Sequence, residues 1–137
     1  MNTGGDFSTP EFTVKSVSAI HSSSFDDGAY GGNSGGFVIT SDEGNLYYAG
    51  DTALTNDMKQ IGEGETLRFA FLPVGDNYTM GYQDAIKASD YIRCNNIIGM
   101  HYNTFDLIKI DCDKVSVDFG KAGKMITFLA IGETREF

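Results

Sequence analysis

RFAFLPVGDNYTMGYQDAIKASDYIRCNNIIGMH, residues 68–101, is the stretch whose reading decides the fold. It opens on an apolar run, Arg68 to Val74, of the length expected for a strand buried on both faces. From Tyr82 to Arg93 the apolar residues Tyr82, Ala85, Ile86 and Ile92 predict an amphipathic helix, with Asp84 in its first turn and Arg93 in its last to complement the helix dipole. Asn96 to Met100 returns to strand composition and delivers His101 at its end.

Upstream, residues 11–20 (EFTVKSVSAI) alternate in two blocks, which predicts a strand with a bulge near Lys15 and Ser16 that ends at His21. Ser22 to Gly36 is Gly- and Ser-rich and predicts a long loop of the kind that often serves function. Phe37–Thr40 and Leu46–Ala49 predict a hairpin around SDEGN, running out into Gly50 and Asp51. Asp57 to Ile61 suits a short helix, and MNTGGDF at the N-terminus reads as a polar turn with no strand of its own. Downstream, Asp113 to Lys121 predicts a second long helix capped by Asp113, and MITFLA a last strand. The order is β4-α-β-α followed by one strand, an α+β arrangement, in a single domain of 137 residues.

Hydrophobic residues make up 41% and charged residues 21%, ordinary globular composition. Ten basic against 19 acidic residues give a formal charge of −9, which argues against nucleic acid phosphates or an anionic membrane as partners. No apolar run has the length of a membrane span. Cys94 and Cys112 form no CxxC pair and follow no secretory leader, so reduced, inert thiols and a cytoplasmic location are expected. The GGNSGG and GDNYTMG loops fit neither a P-loop nor a dinucleotide fingerprint.

His21, Asp51 and His101 each follow a strand-like run, and the two histidines are the only ones in the chain. Three such residues at three strand ends can converge at one edge of a sheet, where domains of this kind commonly place ligands. Imidazole and carboxylate are ligands for zinc and similar ions, and a cation they hold activates water for hydrolysis. Taken singly, each residue also has a bland reading: a hydrogen-bonded histidine at a strand end, or a turn aspartate after glycine. Thr52, Tyr102 and Asn103 are the neighbours in sequence from which imidazole-orienting partners are expected.

IHSSSFDDGAYGGNSGGFVIT, LYYAGDTALTNDMKQIGE, FAFLPVGDNYTMGYQDAIKAS and GMHYNTF resemble, in order and spacing, the second half of metal-dependent hydrolases of the metallo-β-lactamase superfamily, in its small bacterial branch. The resemblance implies one β4-α-β-α half of a four-layer αββα sandwich. It implies metal ligation by His21, Asp51 and His101, with Asp51 as the bridge between two ions and Asp51 and His101 at the catalytic centre. Asp76, Asn77, Asn103 and Thr104 would line the same cleft. The implied cofactor is a divalent metal, zinc first, with manganese or iron as alternatives.

The HxHxDH ligand loop of that family has no counterpart in this sequence. A partner is therefore expected, either a complementary N-terminal half or a second copy in a C2 homodimer covering the sheet face that such a half would bury. The alternative function is a non-catalytic remnant that self-associates or binds a partner.

Overall fold

The structure, a computed structural model, describes residues 1–136. Strands β1 (Asp6–Ser8), β2 (Phe12–Ser18), β3 (Gly35–Ser41) and β4 (Asn45–Tyr48) come first. Helix α1 (Met58–Gly64), β5 (Leu67–Pro73), α2 (Tyr82–Tyr91), β6 (Asn96–Met100), α3 (Cys112–Lys121) and β7 (Met125–Thr127) complete the order, with a 3₁₀ turn at Asp106–Ile108. The α+β reading holds, and the element order matches it apart from β1.

The seven strands of the described residues form one sheet in sequence order. β1 to β4 pair antiparallel and β4 to β7 pair parallel. Each parallel step needs a crossover, which α1, α2 and α3 supply. Because the strands advance steadily in one direction and crossovers share one hand, all three helices fall on the same face of the sheet.

The core lies between that face and the helices. Cross-strand pairing carries Val38, Tyr47, Ala70, Ile97 and Ile126 in a row toward the helices. Met58 and Ile61 of α1, Ala85 and Ala88 of α2, and Val115 and Phe119 of α3 bury against this layer. Gly62 lets α1 lie on α2, since a Cβ there would meet the Tyr91 carbonyl oxygen at 2.3 Å.

Alternation places Phe37, Tyr48, Phe71 and Ile98 in the opposite row, joined by Val14, Ile39, Leu46 and Phe69. Among the described residues, no helix covers this row. Phe37 and Tyr48 remain 38% and 42% exposed, and Tyr48 and Phe69 both pack on Phe71 at ring-centroid distances of 5.8 Å. In the 68–74 run Ala70, Leu72 and Val74 are buried toward the helices, whereas Phe69 and Phe71 on the other face are half-buried.

Several local expectations are corrected. The N-terminal stretch does hold a strand: β1 pairs with β2 through Asp6–Lys15, Phe7–Val14 and Ser8–Thr13. β2 pairs with β3 without interruption, so no bulge occurs at Lys15 and Ser16; the register shifts at Asn45/Leu46, where β4 meets β5. Helix α3 is capped by Asp111, whose Oδ1 accepts from the Lys114 amide at 3.0 Å, rather than by Asp113. Either aspartate suits a cap, and the choice falls to the one preceding the turn that packs Val115 inward. Helix α2 ends before Arg93, which adopts φ +52° where a glycine usually stands. The last strand stops at Thr127.

Candidate metal centre

β2 runs parallel to β4, since each is antiparallel to β3, so the carboxyl ends of β2, β4, β5, β6 and β7 share one edge. His21, Asp51, Asp76 and His101 all follow those ends. Such an edge is where open sheets with parallel strands usually hold ligands.

The rim is tightly specified. Gly50 takes φ +65° and its Cβ position lies 2.7 Å from the Gly35 carbonyl oxygen, so only glycine makes the turn that delivers Asp51. Asp76, Asn77, His101 and Asn103 all take φ near +60°, a left-handed conformation that costs energy in non-glycine residues. Four of the five such residues among those described sit on this edge. The two loops interlock: Val74 donates to the Met100 carbonyl at 3.1 Å, Asn77 Nδ2 to the Leu107 carbonyl at 2.6 Å, and Tyr78 packs near Phe105 at 6.0 Å.

His101 Nε2 faces Asp51 Oδ2 at 3.6 Å. That separation is too long for a hydrogen bond and close to the roughly 3.3 Å that separates two donors each about 2.0–2.1 Å from one zinc ion. His21 Nδ1 lies 2.8 Å from the Ser22 carbonyl oxygen. A carbonyl only accepts, so Nδ1 is the donor, which leaves Nε2 as the nitrogen a metal would use. The segment preceding His21 is tied to the one following Asp51 by backbone bonds, with Ala53 N–H donating to the Ile20 carbonyl at 3.0 Å.

The residues present therefore fit a cation in part. Asp51 and His101 make a donor pair, and His21 leaves Nε2 for a metal. Among the described residues, however, no three His, Cys, Asp or Glu side chains come together as a cation-holding group. His101 Nδ1 is buried with no hydrogen-bond partner among the described residues, where a metal-bound imidazole usually donates to an acceptor behind it.

The neighbours expected to orient the imidazoles act on the backbone instead. Asn103 Oδ1 accepts from the Ile110 amide at 2.7 Å, and Tyr102 donates to the Leu129 carbonyl at 3.3 Å while packing edge-on against Phe128. Thr52 Oγ1 accepts from the Ile20 amide at 2.9 Å. Asp76 and Asn77 line a hollow of about 410 Å³ beside α2 and the start of α3, whereas Asn103 and Thr104 line another of about 490 Å³ beside Phe128 to Ile131. The four residues thus border two hollows. Cys94 and Cys112 are both free, and burial is the first cause raising each thiol's pKa, in keeping with inert cysteines. No helix among the described residues is long and apolar enough to cross a membrane.

Sequence reasoning missed Gly75 and the extent of Thr52's bonding. A Cβ on Gly75 would meet the His101 carbonyl oxygen at 2.1 Å, a contact between distant loops that leaves no mark in the local sequence.

Comparison with known proteins agrees with this architecture. A family model described as "Beta-lactamase superfamily domain" matches residues 1–101. A protein from Christiangramia forsetii named a metal-dependent hydrolase is 53% identical over 99% of the chain, which covers 60% of that relative. One of the same name from Deinococcus radiodurans is 43% identical, with the same coverage. A metallo hydrolase from Ignicoccus hospitalis superposes with a TM-score of 0.87 at 33% identity over all of this chain and 60% of its own. A metallo-β-lactamase fold protein from Bacillus subtilis, at 11% identity and TM-score 0.71 over 94% of this chain and 51% of its own, shares the fold. The chain spans about 60% of the length of these curated relatives.

Proposed function

Because the chain belongs to the β-lactamase superfamily domain family, we propose that it is the His21-, Asp51- and His101-bearing half of a metal-dependent hydrolase, corresponding to the C-terminal half of that fold. The observation that carries this reading is the 3.6 Å approach of His101 Nε2 to Asp51 Oδ2 at the carboxyl edge of the sheet. Asp51 supplies the negative charge a cation needs and is suited to bridge two of them. His101 and His21 supply neutral nitrogen donors, which leave a bound cation acidic. When bound, the cation lowers the pKa of water toward about 7 and so provides hydroxide for attack on an ester, amide or phosphoester. Zinc suits two imidazoles and a carboxylate, with manganese and iron as the competing ions. Two free thiols suit a reducing, cytoplasmic setting.

The incomplete donor set supports a further part of the proposal: remaining ligands come from a complementary N-terminal half or, failing that, from a second copy. The row of Phe37, Tyr48 and Phe71, which no helix among the described residues covers, is the surface on which such a partner sheet would pack. The same row favours the second reading, a self-associating domain with no catalysis of its own.

Metal analysis and calorimetric titration with zinc and manganese separate the two. The hydrolase reading expects binding that Asp51→Asn and His101→Ala each weaken by tenfold or more. Less than about a tenth of an equivalent of metal, together with no change in melting temperature on adding it, overturns an autonomous site.

A further inference from the structure

We infer that Thr52 is a positioning residue whose buried hydroxyl and carbonyl hold three rim loops in register, those that carry His21, Asp51 and Asp76. The inference rests on the metal-site reading above for its functional consequence. Its geometry stands apart from that reading.

Thr52 has no exposed surface and is one of three buried polar or charged residues among those described. Its Oγ1 accepts from the Ile20 amide at 2.9 Å and donates to the Ala53 carbonyl at 2.8 Å. The Ala53 amide returns a bond to the Ile20 carbonyl at 3.0 Å, which closes a clasp around the residue before His21. On its other side, the Thr52 carbonyl accepts from the Met80 amide at 2.9 Å, and the Met80 carbonyl accepts from the Asp76 amide at 3.3 Å. One residue thus ties the end of the His21 strand, the turn that presents Asp51 and the left-handed loop of Asp76.

None of these bonds belongs to the pairing of a named strand; they act beside the Ser34 Oγ bond to the His21 carbonyl at 2.8 Å and the isolated Gly75–Gly81 bridge, and among the described residues only Thr52 joins all three loops. A hydroxyl is needed because it donates and accepts at once, and the residue must be small because the site is closed. Removing the hydroxyl leaves the Ile20 amide without its acceptor, and the segment bearing His21 is then free to shift against Asp51.

The test compares Thr52→Val and Thr52→Ser in the whole chain by two readouts: hydrogen exchange of the Ile20 and Ala53 amides in metal-free protein, and zinc affinity by calorimetry. Thr52→Val should speed Ile20 exchange at least tenfold and weaken zinc binding about 10- to 100-fold, with Thr52→Ser restoring both. A merely structural role would lower the melting temperature and leave Kd and Ile20 exchange unchanged; that outcome overturns the inference. If the wild-type chain binds no zinc, the metal-site reading fails by itself, and wild-type exchange in Thr52→Val is then what overturns the clasp. Should Thr52→Val not fold, Thr52→Cys keeps the volume with a weaker donor, and wild-type exchange at Ile20 in that variant likewise overturns it.

Discussion

Gly75 lies directly against the backbone of His101, with its Cβ position 2.1 Å from the His101 carbonyl oxygen and 3.0 Å from Ile108 Cβ. Neither neighbour has room to retreat, because His101 follows β6 and Ile108 is buried. Gly75→Ala should cost about 2–3 kcal/mol in urea unfolding and displace His101 from Asp51. An unchanged midpoint would show that the two loops are not in contact.

Phe37 tests the uncovered sheet face. It projects away from the helices, so Phe37→Glu should leave the melting temperature within a few degrees of wild type. If two copies cover this face, sedimentation at micromolar concentration should show a wild-type dimer that the variant converts to monomer. A folded wild-type monomer under those conditions rules out the pairing.

Helix α3 carries a titratable clamp. Lys121 and Lys114 donate to Asp118 at 2.8 Å and 3.0 Å and hold its carboxyl down at about 2. A depressed carboxyl stabilises the fold above its unfolded value, and that stability is lost as pH falls from about 4 toward 2. Asp118→Asn should therefore lower stability at neutral pH, modestly because the carboxylate is exposed, and flatten the acid limb so that variant and wild type converge near pH 2. Since the group is solvent-accessible, 0.5 M salt should shrink the difference.

Tyr47 presents the opposite case. Its ring is fully buried in the helix-facing layer, its hydroxyl has no hydrogen-bond partner among the described residues, and desolvation drives its pKa well above the usual phenol value. Tyr47→Phe removes a buried, unpaired polar atom and keeps the packing. It should be neutral or stabilising by up to about 1 kcal/mol, read by denaturant unfolding. A loss of 2 kcal/mol or more would mean that the hydroxyl has an acceptor.

The strands that carry the site were legible because their patterns are local. Alternation over 11–20, the SDEGN turn and the helical spacing over 82–93 place β2, the β3–β4 hairpin and α2 within a few residues of where they lie. The errors fall where local signals compete. Asp111 and Asp113 both suit a helix cap, and Arg93 occupies a left-handed position that its residue type does not announce. β1 went unseen because Asp6–Ser8 is short and polar and exists only through pairing with β2.

By itself the sequence determined the order of elements, the family, and the delivery of His21, Asp51 and His101 to strand ends, since periodicity and motif are properties of neighbouring residues. Tertiary structure alone decided that the ends share one edge, that His101 faces Asp51 while no third His, Cys, Asp or Glu among the described residues joins them, and that Thr52 ties loops instead of imidazoles. It also decided that one sheet face has no helix over it among the described residues. These depend on parallel pairing and on contacts between residues tens of positions apart, set by packing and backbone hydrogen bonds that no local pattern encodes.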